Sequence, residues 1–401
     1  MSKRSILTRL VVLIPALVLM GAMLAGTMSC GGGLFPEVTA TATPTNTPSP
    51  GTGNFAYATD LNTAKLVPFA RNTTTGFLTA GKALSAGATG SGIGPKGMAI
   101  TSGNDFIYVA NGSDNNIYGY SIGSNGTPSP LSTPSFPEGS GTSPQQITID
   151  ASGSSFMWVT NSGNASITNW TISSNGTLTG NQTQSAIGLS QPFGIVNDGT
   201  YVYVADPGNG TVSSFSILSG GLLSVNSSQP SLGTGSPGKP TKIVLDPNDN
   251  YVYVADFNNS YISAIGILTG GILAPAVAFP RATETQPFGL GITEVSSAGT
   301  TLDYLLVANQ ATTVNGSFNP ITTPGTVGTP GNFPGNNVSV PTGLAVAPQN
   351  NFFYTADQND GTVGQWSIGA SGCAQLVCFV RKVFTEGTST TTGPFDVILT
   401  N

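Results

Sequence analysis

Three markers recur seven times in fixed order along this chain, and that periodicity limits its fold more than any other feature. The first is a short aromatic and aliphatic run ending in Asp or Asn: FAYATD at Asp60, FIYVAN at Asn111, FMWVTN at Asn161, YVYVAD at Asp206 and again at Asp256, YLLVAN at Asn309, FFYTAD at Asp357. Successive copies lie 45 to 53 residues apart. Fifteen or sixteen residues after each comes a Gly: Gly76, Gly126, Gly176, Gly221, Gly271, Gly325 and Gly372. A Pro opening a short apolar stretch follows, at Pro95, Pro144, Pro192, Pro240, Pro287, Pro341 and Pro394. A repeat of about fifty residues means that one supersecondary unit is copied and stacked.

Each unit holds four apolar runs of strand length with period-two alternation. In the fourth unit Tyr201, Tyr203 and Ala205 face one way while Val202, Val204 and Asp206 face the other. No stretch beyond the N-terminus sustains a helical period. The marker Gly joins the third and fourth runs, as in SILSGGLL from Ser216, where a hairpin needs positive φ. Seven four-stranded units of this length predict an all-β, seven-bladed β-propeller, each blade burying its faces against its neighbours. The first unit begins at its second strand, near Phe55, and the last line, PFDVILTN from Pro394, is an inner strand with nothing after it. The C-terminal strand is therefore expected to complete the N-terminal blade and close the ring.

Segments such as YVYVADFNNSYISAI from Tyr251 and FMWVTNSGNASITNW from Phe156 resemble the YVTN-type repeats of lactonase-like seven-bladed propellers, the 6-phosphogluconolactonase-like proteins among them. The resemblance covers 54–401. It implies the same fold and, as one activity, hydrolysis of a sugar lactone. Lactone-hydrolysing members often carry His or Arg just after the repeat Pro. Here those positions read Lys96-Gly97, Gln145-Gln146, Phe193-Gly194, Thr241-Lys242, Phe288-Gly289, Thr342-Gly343 and Phe395-Asp396.

Composition narrows the chemistry. The chain has no His, so a His-dependent triad, a His metal site and a His proton shuttle are excluded. Only 7% of residues are charged. Beyond Lys3, Arg4 and Arg9, nine bases face eighteen acids. Nucleic acid needs a basic patch and is not an expected partner. Residues 1–29 run from that basic cluster through an apolar stretch to small residues, the order of an export signal. They end before Cys30-Gly31-Gly32-Gly33, which resembles a bacterial lipoprotein signal and marks Cys30 for lipidation. Cleavage by ordinary signal peptidase, or retention of the apolar run as an anchor, is the alternative. The Thr/Pro/Gly-rich stretch 30–53 reads as an extended stalk, and 54–401 as the propeller.

A feature shared by all seven units belongs first to the fold. The Asp/Asn ring is expected to form Asx turns, the alternative being a cation held by several of its four Asp. No metal site and no cofactor are expected. Chemistry should sit where the repeat is broken. Lys96, Lys239, Lys242 and Arg281 lie close to repeat Pro residues, with Glu138, Glu284 and Asp396 beside them. Lys96 and Arg281, with Phe193, Phe288 and Phe395, are the candidate binding residues for a small molecule, glycan or protein. For a lactonase, Asp396 or Glu284 would activate water, and Lys242, Lys96 or Arg281 would stabilise the developing oxyanion. Packing between blades is the plainer role for the three Phe. Cys373 and Cys378 are a candidate disulfide in an oxidising compartment. The expected protein is a monomeric binding module at the cell envelope, with a lactonase and a structural adhesin as alternatives.

Overall fold

The computed structural model describes residues 54–88, 94–151, 155–185, 187–230, 238–280, 286–297, 300–310, 315–334, 338–349, 351–369, 376–385 and 393–400. The signal-like segment, the stalk, Cys30, Arg281, Glu284 and Cys373 fall outside them. Seven antiparallel sheets account for the described chain, with one short 3-10 turn at Ser219–Gly221. Each sheet is a blade. The inner strands of blades 1 to 7 are Pro394–Leu399, Pro95–Ile100, Pro144–Ile149, Ile195–Asn197, Pro240–Leu245, Pro287–Ser297 and Pro341–Val346. Neighbouring inner strands touch all the way round, blade 7 against blade 1 included. The outer strand is broken in two in blades 1, 5 and 6.

The clasp is as the chain ends predict. Pro394–Leu399 pairs antiparallel with Phe55–Asp60, from Ala56 opposite Leu399 to Asp60 opposite Pro394. At its far end the Phe55 amide donates to Thr400 Oγ1 (3.1 Å), and the Thr400 amide donates to the Phe55 carbonyl (3.0 Å). Blade 1 is thus three strands from the N-terminal side and one from the C-terminus.

Seven separate apolar clusters fill the seven gaps between blades. Ala56, Val67 and Phe69 of blade 1 meet Tyr354, Ala356 and Val363 of blade 7 in one of them, and the other six pairs of neighbours repeat the arrangement. Both faces of every blade are consequently buried, which is why the second strands carry no exposed face.

The marker Gly does more than turn a hairpin. Gly126 has φ +72, and a Cβ on it would overlap the ring of Phe55, the first residue of the second strand in the preceding blade. Its carbonyl accepts from Tyr57 Oη at 2.7 Å. The grip recurs. Gly176 lies against Phe106 and accepts from Tyr108, Gly221 lies against Phe156 and accepts from Trp158, and Gly76 lies against Phe352 and accepts from Tyr354. Blade 4 departs from the pattern: Tyr201 packs on Gly271, but Tyr203 donates to Asp198 Oδ2 instead. Alternating aromatics in the first marker and Gly in the second are therefore two halves of one contact between blades.

The Asp/Asn ring is fully buried. Asp60 Oδ1 accepts from the amides of Asn62 and Thr63, and Asp206 Oδ1 from Gly208. These are the expected Asx turns, and they also reach the loop before an inner strand. Asp60 takes the Gly393 amide, Asp206 takes Ser190 and Gln191, and Asp256 takes Lys239. Among the described residues no group of three or more Asp, Glu or Cys is placed to hold a metal ion. Cys378 is disulfide-bonded.

Candidate functional site

Inner strands begin at one end of the central channel, and their first residues are re-aimed by a break in register. The pairing with the second strand slips between Pro95 and Met98, Pro240 and Ile243, Pro287 and Gly289, and Pro341 and Gly343, with equivalent slips in blades 1 and 3. A bulge of this kind turns side chains that would otherwise alternate between faces. Side chains that follow the Pro in blades 1, 3, 4, 5 and 6 meet across the channel rather than only across a gap between blades.

The first residue after Pro forms the mouth. Phe193, Phe288 and Phe395, from blades 4, 6 and 1, converge with ring centroids 5.6, 5.7 and 6.4 Å apart, all edge to face. Phe257 joins them at 6.3 Å from Phe288, and Leu61 closes the cluster. This is an apolar cluster distinct from the seven gaps between blades, so the three Phe are not blade-packing residues. Phe193 and Phe257 are partly exposed. Lys96 stands at the same level, its Nζ 5.8 Å from the centre of the Phe395 ring and donating to Gln145 Oε1 at 2.6 Å. Burial pushes its ammonium down to about 8. Lys239 Nζ lies 5.0 Å from the Phe257 ring centre. Among the described residues neither lysine has a carboxylate partner.

The second residue after Pro forms a belt beneath the mouth. Four of the seven are Gly, and at Gly194 a Cβ would overlap the carbonyl of Thr241 in the next blade. The other three are Asp396, Gln146 and Lys242, on blades 1, 3 and 5, with one glycine-bearing blade between the first and second and between the second and third, and two between the third and the first. Lys242 Nζ bridges them, donating to Gln146 Oε1 (2.7 Å) and to both oxygens of Asp396 (3.1 and 3.2 Å). Asp396 is buried, which raises its carboxyl above the ordinary value against the opposing pull of Lys242. Its Oδ1 also accepts from the Val397 amide.

The structure thus brings Lys96, Lys242, Asp396 and the three Phe to one channel, as the broken-repeat argument expects. Glu138 is elsewhere. Its carboxylate is enclosed within blade 3, accepting from Trp170 Nε1 (2.6 Å) and Asn161 Nδ2 (3.2 Å), and burial raises its carboxyl. Gln145, Gln146 and Phe257 are additions that the search for charge missed. Aligning the seven Pro segments column by column reveals the first two, since Gln146 stands where most repeats have Gly.

The fold has known counterparts. Residues 36–217 match the model of the lactonase, 7-bladed beta-propeller family. The chain is a seven-bladed propeller whose N-terminal part is similar to that family. A candidate 6-phosphogluconolactonase of Bacteroides fragilis superposes with a TM-score of 0.68 at 16% identity, over 88% of this chain and 100% of that one. A Lactobacillus plantarum protein gives 0.67 at 18% identity, over 87% and 99%. The periplasmic gluconolactonase of Pseudomonas aeruginosa gives 0.61 at 14% identity, also over 87% and 99%. At such identities the likeness is one of fold. No curated protein matches the sequence.

Proposed function

We propose that this lactonase-like propeller is an exported, lipid-anchored binding protein that holds a ring-shaped anionic molecule, of the sugar-acid class, at the channel mouth. The observation that carries the reading is the convergence of Phe193, Phe288 and Phe395 into one partly exposed cluster, with two lysine ammoniums over aromatic faces and, among the described residues, no carboxylate against them. An aromatic floor takes the C–H face of a ring, and unpaired ammoniums favour an anionic group beside it. The export-like N-terminus, Cys30 and the Thr/Pro stalk support display at the cell envelope, with the propeller acting as a monomer.

Lactone hydrolysis is the second reading, favoured by the contact between Lys242 and Asp396 in the channel. Asp396 would activate water, and Lys242 or Lys96 would stabilise the oxyanion. Against it, the carboxylate is held by Lys242 through both oxygens and lies beneath the aromatic cluster. One experiment separates the two. Gluconate, 6-phosphogluconate and their lactones are titrated into the full chain by thermal shift, with lactone hydrolysis followed by release of acid. The binding reading expects stabilisation without turnover, weakened at least tenfold by Phe288→Ala and by Lys96→Ala. Turnover abolished by Asp396→Asn would transfer the assignment to a hydrolase. Neither binding nor turnover across the series would overturn both and leave the adhesin reading. Membrane fractionation of Cys30→Ser tests the anchor separately, with release into the soluble fraction expected.

A further inference from the structure

Lys96 is held differently from the paired lysines of this chain. Lys242 Nζ donates to both oxygens of Asp396, and Lys382 Nζ lies 3.2 Å from Asp360 Oδ2, contacts that favour the ammonium form. Among the described residues Lys96 Nζ has one hydrogen-bond partner, Gln145 Oε1 at 2.6 Å, and it stands 5.8 Å from the centre of the Phe395 ring. The side chain is partly exposed, at the edge of the aromatic cluster. Gln145 cannot turn its nitrogen toward Lys96, because Nε2 donates to the Ser143 carbonyl (2.8 Å) and hydroxyl (3.1 Å). Its oxygen therefore accepts from Nζ whether the lysine carries three protons or two. A neutral carbonyl fixes the amine in place without the counter-charge that a carboxylate supplies, and the apolar rings beside it disfavour the cation. The fall to about 8 has this cause, and it leaves part of Nζ as a free amine with an unshared pair near neutral pH.

We infer that Lys96 is a covalent attachment site, whose amine opens a sugar lactone seated on the aromatic cluster and retains it as an amide. This rests on the reading of the mouth as a sugar-acid site and adds a reaction to it. The Nζ lone pair forms a C–N bond to the lactone carbonyl carbon. The ring C–O bond breaks, and its electron pair passes to the ring oxygen, which takes up the proton that Nζ gives away. Every atom of the lactone is kept, its ring opened to a hydroxyl, and no further reactant is consumed. The two lysines of the mouth then have separate roles. Lys239, over the Phe257 ring, remains for an anionic group on the sugar, while Lys96, beside Phe395, meets the ring carbonyl. A lactone held on the cluster presents its carbonyl to one amine at an effective concentration far above that in solution. An open sugar acid is already a carboxylate, so it binds without reacting.

The full chain is incubated at pH 8 with freshly dissolved gluconolactone or 6-phosphogluconolactone, and acylation of each lysine is followed by peptide mass spectrometry. Lys96 is expected to gain the mass of one whole lactone about tenfold faster than Lys82, which is exposed between the two pieces of the outer strand in blade 1. Its rate should saturate with lactone concentration, and 6-phosphogluconate should slow it while leaving Lys82 unchanged. Lys96→Arg keeps the cation and removes the nucleophile, so it should retain the thermal shift with sugar acids and lose the fast label. Stabilisation by sugar acids without preferential labelling of Lys96 overturns the inference and leaves the reading of the mouth standing. Labelling of Lys96 that neither saturates nor is slowed by 6-phosphogluconate overturns it too, since the lysine would then react without a site. Absence of both stabilisation and labelling overturns the inference together with that reading.

Discussion

A carboxylate's neighbours decide whether its burial stabilises the fold, and the seven-membered Asp/Asn ring holds both outcomes at equivalent positions. Asp206 receives backbone amides from Ser190, Gln191 and Gly208 and the side-chain amide of Asn209. Asp357 has Oδ1 without a partner and a long 3.5 Å contact from Thr362 to Oδ2. Burial, and then the nearby charge of Asp360, raise its carboxyl well above the ordinary value, against weaker opposing effects from Thr355, Lys382 and Gly364. A folded-state pKa above the unfolded one means that the native protein binds the extra proton. Stability from this group is therefore complete below about pH 4 and is lost as pH rises through the folded value, at up to about 1.4 kcal/mol per pH unit. Asp357→Asn removes the charge and should flatten that part of the profile, leaving the variant more stable than the parent near pH 8. Urea unfolding from pH 4 to pH 8 measures it. An unchanged slope in the variant would place the proton uptake on another group, Glu138 being the next to test. None of this is legible in the sequence, where Asp206 and Asp357 end nearly the same motif, because the difference lies in which distant loop donates to each.

Strands and turns were legible to the extent that their causes are local. Period-two alternation placed the second strands, and the marker Gly placed the hairpins, since φ and face are decided within a few residues. The partner of each Gly was not legible. Tyr57 and Gly126 are sixty-nine residues apart and on different blades, so nothing near either one announces the contact. The channel belt was hidden in part for a related reason: Asp396 and Lys242 stand out by their charge, but Gln146 looks unremarkable until it is seen as an exception in a column of Gly. Comparing two glycines at positive φ isolates the contribution of the grip between blades. At Gly220 a Cβ meets nothing within 4 Å, whereas at Gly126 it meets the Phe55 ring. Gly220→Ala should cost about 1 kcal/mol for backbone conformation alone. Gly126→Ala adds overpacking to that, for about 3 kcal/mol in all. Chemical denaturation of the two variants gives the comparison, and equal losses would mean that the Gly serves its own hairpin only.

At the scale of the whole molecule, closure is what turns seven marginal sheets into one structure. Every blade is buried on both faces only because the ring has no first or last member, and the seam lies within blade 1, where Pro394–Leu399 meets Phe55–Asp60. The same strand supplies Phe395 to the mouth and Asp396 to the belt, so closure and channel are built from one element. Ending the chain after Gly393 would expose the edge of Phe55–Asp60, remove Val397 from the core shared by blades 1 and 7, and leave Lys242 without its carboxylate. The expected result is loss of the single cooperative unfolding transition and binding of a hydrophobic dye, as unpaired edges and apolar faces become accessible. Damage to folding in general would give the same result, so a peptide corresponding to 394–401 is added in trans. If the clasp is an independent strand docking into a preformed gap, the peptide restores cooperativity in a saturable way, and a peptide carrying Val397→Asp does not. Full cooperative stability in the shortened chain would show that the other six blades and the three remaining strands of blade 1 close without it.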